Sequence, residues 1–318
     1  MNRKEITWHT NFAKAWKDRE SHGRVPHAVL LTGPAGVGKR AAATWIAARH
    51  LAIDTGTALP GYPAGALEHA DLHWVAPLEE KQTIGIEQIR ELVAEFSLTS
   101  YAGHGKAAII EPANAMTHNA ANSLLKTLEE PPGAAIMILI ADRAGRLPAT
   151  IFSRCQRIDI ALPGESEGLA WLDQVQPGTD WRGALRLAGG APLAAIAALE
   201  QIDTHTTMSR DFSGVAKGRA SPIEVASRWM KLDTAFVLDW MAREVQEAIL
   251  VASNAAQAPV TPAIDESVLK RMDRRNLFCY LDIINRLRGQ PKGSFNVQLT
   301  LESLLIDWAE GLAQRKPV

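Results

Sequence analysis

A chain of 318 residues, 47% of them hydrophobic, is long enough to bury a substantial core spread over two or three domains. Its 34 Lys and Arg nearly cancel its 35 Asp and Glu, which excludes a global positive field that would draw in nucleic acid, so any DNA contact has to come from a local patch or an assembly. Two cysteines, Cys155 and Cys279, exclude a disulfide framework and a four-thiolate zinc site.

The opening residues, Met1 to Glu5, lead into no apolar stretch of signal-peptide type, and the longest apolar run, 134–141, is too short to cross a bilayer. A cytoplasmic protein with no membrane partner is expected. Short β-rich runs then alternate with helical segments through the first half, the pattern of a parallel sheet covered on both faces, so the expected fold class is α/β. Strands are predicted at 28–32, 72–75, 107–111, 136–141 and 157–161.

Between the first strand and a helical stretch at 40–51 lies Gly33-Pro34-Ala35-Gly36-Val37-Gly38-Lys39-Arg40. In an intact phosphate loop, backbone N–H groups cradle the phosphates, the lysine reaches the terminal pair, and a Ser or Thr after it holds magnesium. Gly33, Gly36, Gly38 and Lys39 are therefore the expected nucleotide-contacting residues, while Arg40 replaces the metal-binding hydroxyl. A cation there can occupy the metal position or pair with a phosphate directly.

Residues 52–67 are rich in Gly, Pro, Ala and Thr and read as a connection. A helix at 86–97 carries Ile89, Leu92, Val93 and Phe96 on one face. The strand after it ends Ile109-Ile110-Glu111-Pro112. A working P-loop ATPase needs adjacent carboxylates here to hold magnesium and orient water, and Pro112 supplies neither a carboxylate nor a backbone donor. From Thr117 to Pro132 the chain reads as an amphipathic helix. Thr117 or Asn119 caps it, Ala121, Leu124, Leu125 and Leu128 form its buried stripe, and prolines stop it.

After the last strand, Leu162-Pro163-Gly164-Glu165-Ser166 marks a domain boundary. A small helical unit follows to about Asp203, broken at Gly189-Gly190-Ala191-Pro192. The glycine-containing polar stretch 204–221 reads as a linker, and the remainder as helical, ending in a helix with Val297, Leu301, Leu304, Leu305 and Trp308 on one face. The scattered Trp8, Trp16, Trp171, Trp181, Trp229, Trp240 and Trp308 read as core residues rather than base-stacking platforms. Arg271, Arg274 and Arg275 read as a solvated face.

Several fragments, in this order, carry a resemblance. They are His27-Ala28-Val29-Leu30-Leu31, the phosphate loop, His69-Ala70-Asp71-Leu72-His73, Ile84-Gly85-Ile86 with Ile89-Arg90, Leu124 to Pro132, Leu147-Pro148-Ala149-Thr150 and Ser153-Arg154-Cys155. The chain resembles the clamp-loader branch of the AAA+ ATPases over nearly its whole length, most closely the delta-prime type of bacterial clamp-loader subunit. The resemblance implies a RecA-like parallel-sheet domain at 1–164, a small helical lid at 165–207 and an all-α collar at 208–318 that joins a hetero-pentamer. It implies that Arg154 is an arginine finger, placed in trans into the ATP site of a neighbouring subunit. The implied partners are the gamma/tau ATPase subunits and the delta subunit, with the sliding clamp and primed DNA reached through the assembled complex. Polymerase chemistry would belong to the holoenzyme.

Departures from the motor pattern cluster. Arg40 and Pro112 are joined by Ala141-Asp142 where motor subunits carry a polar sensor, and by Pro192 near the place of a lid-domain sensor arginine. A non-hydrolysing stator is the expected role, with no cofactor required and vestigial ATP or ADP binding at Lys39 left open. Many bacterial relatives carry a four-cysteine zinc module where 51–67 has no cysteine, so neither zinc nor any other metal is expected, despite His50 and His69. The competing reading is an ATP-hydrolysing motor of the gamma/tau type, with Arg40 tolerated and Glu111 holding magnesium alone.

Overall fold

A computed structural model describes residues 3–65, 67–78, 81–142, 147–199, 201–253, 272–290 and 294–312. The chain divides into two compact units, Met1–Glu200 and Gln201–Val318.

The first unit is built on five strands, β2 (Ala28–Thr32), β4 (Leu72–Val75), β5 (Lys106–Ile110), β6 (Ala135–Ala141) and β7 (Gln156–Asp159). They form one parallel sheet in the order β4-β5-β6-β2-β7. All seven residues of β6 and all five of β5 are buried, as expected of central parallel strands covered on both faces. Helix α2 (Lys39–His50) packs on one face, where Trp45 and Ile46 meet Val29, Leu31 and Ile138. Helices α3 (Ile86–Phe96) and α4 (His118–Glu129) pack on the other through Ile89, Leu92, Leu124 and Leu128. A two-residue antiparallel ladder joins β1 (Lys4–Glu5) to β3 (Gly61–Tyr62), tying the N-terminal segment to the connection after α2.

The predicted strands are all present, with shifts at their ends. The third begins at Lys106 and the fourth at Ala135, each one residue earlier than expected, and the fifth covers Gln156–Asp159. Thr117 caps α4, its hydroxyl accepting from the Ala120 N–H at 3.2 Å. Leu125 is only partly buried, and Thr127 takes part in the buried face instead. Helices α1 (Thr10–Ser21), α5 (Ala149–Phe152), α6 (Glu165–Val175), α7 (Trp181–Leu187) and α8 (Pro192–Leu199) also belong to this unit.

The second unit holds α9 (Ile202–Ala216), α10 (Pro222–Trp229), α11 (Thr234–Ala252), α12 (Arg274–Arg288) and α13 (Val297–Ala309). The stretch expected as a linker, 204–221, is instead mostly helix α9, and the expected boundary at 207/208 falls inside it. Polar residues masked an inward stripe of His205, Met208, Asp211, Phe212 and Val215. Asp211 tolerates burial because Arg228 Nη2 and Trp229 Nε1 donate to it at 2.9 and 3.3 Å. Among the tryptophans read as core, Trp16, Trp171, Trp181, Trp229, Trp240 and Trp308 are buried, and Trp8 is half-buried. Of the arginine cluster, Arg274 and Arg275 open α12, and Arg271 lies outside the described residues.

The second core is organised by aromatic rings. Phe212 stacks on Trp308 at 4.2 Å between centroids, Tyr280 stacks on the same indole at 5.6 Å, and Trp240 meets Phe212 edge-on. The Trp308 indole also donates to the Phe212 carbonyl at 3.3 Å. Trp308→Ala should destabilise this unit by about 3–5 kcal/mol. Hydrogen exchange should then show faster opening of α9, α10 and α13 while the β6 amides keep their protection. Unchanged exchange in α10 would refute this account of the core.

Candidate functional site

The phosphate loop leaves β2 at Gly33 and enters α2 at Lys39, at the carboxyl end of the sheet, beside the point where strand order reverses around β2. Three glycines there have positive φ, +137° at Gly33, +80° at Gly36 and +95° at Gly38. A Cβ at Gly33 would lie 2.2 Å from the Ile160 carbonyl oxygen, and one at Gly36 would lie 2.5 Å from Ala194 Cβ in α8. Only glycine satisfies both the backbone angle and the space at these positions.

The loop's carbonyl groups are held from several sides. The Leu193 N–H at the start of α8 donates to Gly36 O at 3.0 Å. Trp8 Nε1 donates to Val37 O at 2.9 Å, and His9 Nε2 reaches the same oxygen at 2.9 Å. Lys39 is buried, and its ammonium donates to Gly33 O at 2.8 Å and to Pro34 O at 2.6 Å and forms an ion pair with Asp142 Oδ1 at 2.6 Å. Two of the ammonium's three donors are thus held by carbonyls of the loop itself, and its charge is answered by Asp142. Asp142 follows β6, where the sequence suggested a lost sensor. Its carboxylate was visible there as a departure, but its pairing with Lys39 was not.

Arg40 also finds a carboxylate. Its Nε donates to Glu111 Oε2 at 2.7 Å, and its guanidinium lies 5.4 Å from the centre of the Trp74 ring. The two acids that end β6 and β5 thus neutralise the two cations that begin α2. Pro192 opens α8 and is buried, packing toward Gly168 of α6. Among the described residues, no group of three His, Cys, Asp or Glu side chains converges as a metal site.

Arg154 is elsewhere. It lies in the turn before β7, whose Gln156 pairs with Val29, so Arg154 stands at the amino end of the sheet. Gly33 lies four residues beyond Val29, about 13 Å at roughly 3.3 Å per residue. Arg154 and Lys39 therefore occupy opposite ends of the same sheet. Other residues of the shared fragments hold the frame. Asp71 accepts from the Tyr101 and Ala102 N–H groups at 2.8 and 2.9 Å and from Ser100 Oγ at 3.1 Å, and His27 Nε2 meets the Leu128 carbonyl at 2.9 Å.

With this geometry in place, comparison with known proteins is direct. The family model described as DNA polymerase III, delta subunit, matches residues 8–163. The DNA polymerase III subunit delta' of Pseudomonas aeruginosa is 31% identical over 92% of this chain and 95% of its own length. The chain belongs to the DNA polymerase III delta-prime family. The delta' subunit of Escherichia coli is 37% identical over 41% of this chain and 39% of its own length, and the tau subunit of Bacillus subtilis 31% identical over 47% and 28%. A DNA polymerase III gamma subunit-related protein of Thermotoga maritima shares the fold, with a TM-score of 0.50 at 18% identity, covering 96% of this chain and 99% of that one. No helix among the described residues is long and apolar enough to cross a membrane.

His9, which sequence reasoning missed, gives the loop a pH dependence. Burial lowers its pKa from 6.5 to about 4, against the opposing pull of the Val37 carbonyl. The neutral ring donates from Nε2, and its buried Nδ1 has no partner. Between pH 6.5 and 4 the unfolded chain binds more protons than the folded one, so His9's contribution is intact above pH 6.5 and fades as pH falls. Its share of the loss by pH 4 is on the order of 3 kcal/mol. A His9→Gln chain, whose amide also donates, should lack this part of the acid slope in urea unfolding measured across that range. Equal slopes in the two chains would contradict the assignment.

Proposed function

We propose that this protein is a non-hydrolysing stator of a cytoplasmic clamp-loader complex, supplying Arg154 in trans to the ATP site of a neighbouring gamma/tau-type subunit while the complex loads a sliding clamp on primed DNA. The delta subunit is the other expected neighbour. The observation that carries the reading is the state of Lys39, which donates to the Gly33 and Pro34 carbonyls and whose charge is paired with Asp142 of the same chain. A triphosphate at this loop has to displace Asp142. A magnesium ion would meet Arg40 in place of a hydroxyl, with Glu111 already paired to that arginine. These residues do not fit a magnesium–nucleotide complex poised for hydrolysis, since charge neutralisation in phosphoryl transfer depends on the metal.

The position of Arg154 supports the second half of the reading. At least about 13 Å of sheet separates it from its own phosphate loop, beyond the reach of an arginine side chain, so a role in ATP chemistry requires another subunit's nucleotide. There a guanidinium stabilises charge developing on the transferred phosphoryl group. A three-part division belongs to the same proposal, the lid being the α6–α8 segment and the collar beginning with the second compact unit at Gln201 rather than at 208.

Two measurements test it. The isolated chain, assayed with magnesium and primed DNA, should hydrolyse ATP no faster than its Lys39→Ala variant. Lys39-dependent turnover would instead make it a motor. In the reconstituted complex, Arg154→Ala should leave assembly intact and slow the neighbouring site by about 10³-fold or more. Unchanged turnover in that complex would remove Arg154 from the mechanism.

A further inference from the structure

The Arg154 guanidinium is engaged within its own chain. Nε donates to Glu129 Oε1 at 2.5 Å and Nη2 pairs with the same oxygen. Nη1 donates to the Thr150 carbonyl at 3.1 Å and to Ser153 Oγ at 3.0 Å. One N–H from Nε and two from Nη1 make three of the guanidinium's five donors, with Nη2 in ion-pair contact with the same carboxylate. An arginine held this way is fixed in one rotamer, with the N–H groups of Nη2 left over for an incoming anion.

Glu129 is the last residue of α4. A carboxylate at that end of a helix faces the negative pole of the macrodipole and is unfavourable unless a cation answers it. Arg154 is that cation, and the pair is only part-buried, with side-chain exposures of 32% for Arg154 and 48% for Glu129. Pairs of this exposure are held weakly and are screened by salt. A terminal phosphate carries more charge and offers more acceptor oxygens than one carboxylate, so it competes well for the same face of the guanidinium.

We infer that Glu129 is the resident counter-ion of Arg154. It holds the guanidinium ready in the free subunit and yields it to the terminal phosphate of a neighbour's nucleotide. The inference rests on the finger reading above and deepens it by naming a positioning residue. No bond is made or broken in the exchange. One anion replaces another, and the displaced carboxylate then sits close enough to the phosphate to oppose its binding. Glu129 thus sets the nucleotide concentration at which the finger engages rather than the rate once it has engaged.

The test is the ATP dependence of hydrolysis by the reconstituted complex carrying the unsubstituted chain, Glu129→Gln, Arg154→Ala or both substitutions. The glutamine keeps an acceptor for Nε and removes the charge. It should lower the half-saturating ATP concentration about two- to five-fold, with maximal turnover nearly unchanged and the shift shrinking as salt rises. In the Arg154→Ala background it should do nothing. If Arg154→Ala disables the neighbouring site while Glu129→Gln leaves half-saturation unchanged or raises it, the counter-ion role is overturned and the finger stands. A fall in maximal turnover with Glu129→Gln also overturns it, provided that the isolated variant melts at the unsubstituted temperature. If Arg154→Ala has no effect, the finger reading and this inference fall together. Glu129→Ala, which removes the acceptor as well, should shift half-saturation in the same direction.

Discussion

Two cations stand at the positive end of α2, and the first unit is arranged around neutralising them. Lys39 and Arg40 oppose the helix dipole, which favours anions at an N-terminus, and no acidic residue in the first turn of α2 offsets them. Burial makes the demand acute for Lys39, because an ammonium removed from water needs acceptors on every donor. Asp142 and Glu111 meet the requirement from the ends of adjacent strands β6 and β5. In a nucleotide-holding loop phosphates would supply that negative charge. Here the chain carries it covalently, and the strand ends, the loop and the start of α2 are held together by the pairing.

Much of this frame was legible in the sequence because it rests on local patterns. The all-apolar runs that became β5 and β6, the glycine-rich turn between strand and helix, and the Thr117 cap each follow from residue type at fixed spacing. Helix α9 was not legible as a helix because a buried Asp211 and a buried His205 interrupt its apolar stripe, and only the distant Arg228, Trp229 and Phe236 make their burial tolerable. The partners of the site were invisible for the same reason. Lys39 and Asp142 are about a hundred positions apart, as are His27 and Leu128. The indole and imidazole on Val37 come from a segment with no motif of its own. Sequence identified which groups carry charge, but pairing them required the sheet.

The parallel sheet also fixes a division of labour between its ends. Parallel strands place every strand-to-helix turn at one edge and every helix-to-strand turn at the other. Lys39, Asp142, Arg40 and Glu111 gather at the carboxyl edge because each follows a strand. Arg154 and Glu129 meet at the amino edge because Arg154 precedes β7 and Glu129 closes the helix that returns toward β6. The same rule of connection therefore produces two self-neutralised cationic sites, one inside the phosphate loop and one at the far end of the sheet. They differ in burial. Lys39 is 5% exposed and Arg154 32%, so the second pair is the easier to exchange with an outside anion.

That contrast bears on why the loop has glycines beside a lysine that is already engaged within the chain. Gly33 allows the Ile160 carbonyl to pass where a Cβ would stand, and Gly36 allows Ala194 and the start of α8 to press against the loop. Both contacts are architectural. The first lets the chain leave β7, and the second seats α8 on the α/β core through Val37, Ile160 and Ala191. A glycine motif in this setting is therefore demanded by packing whether or not a phosphate ever enters it. The residues that report on nucleotide chemistry are the charged ones around it, and in this chain they already answer one another.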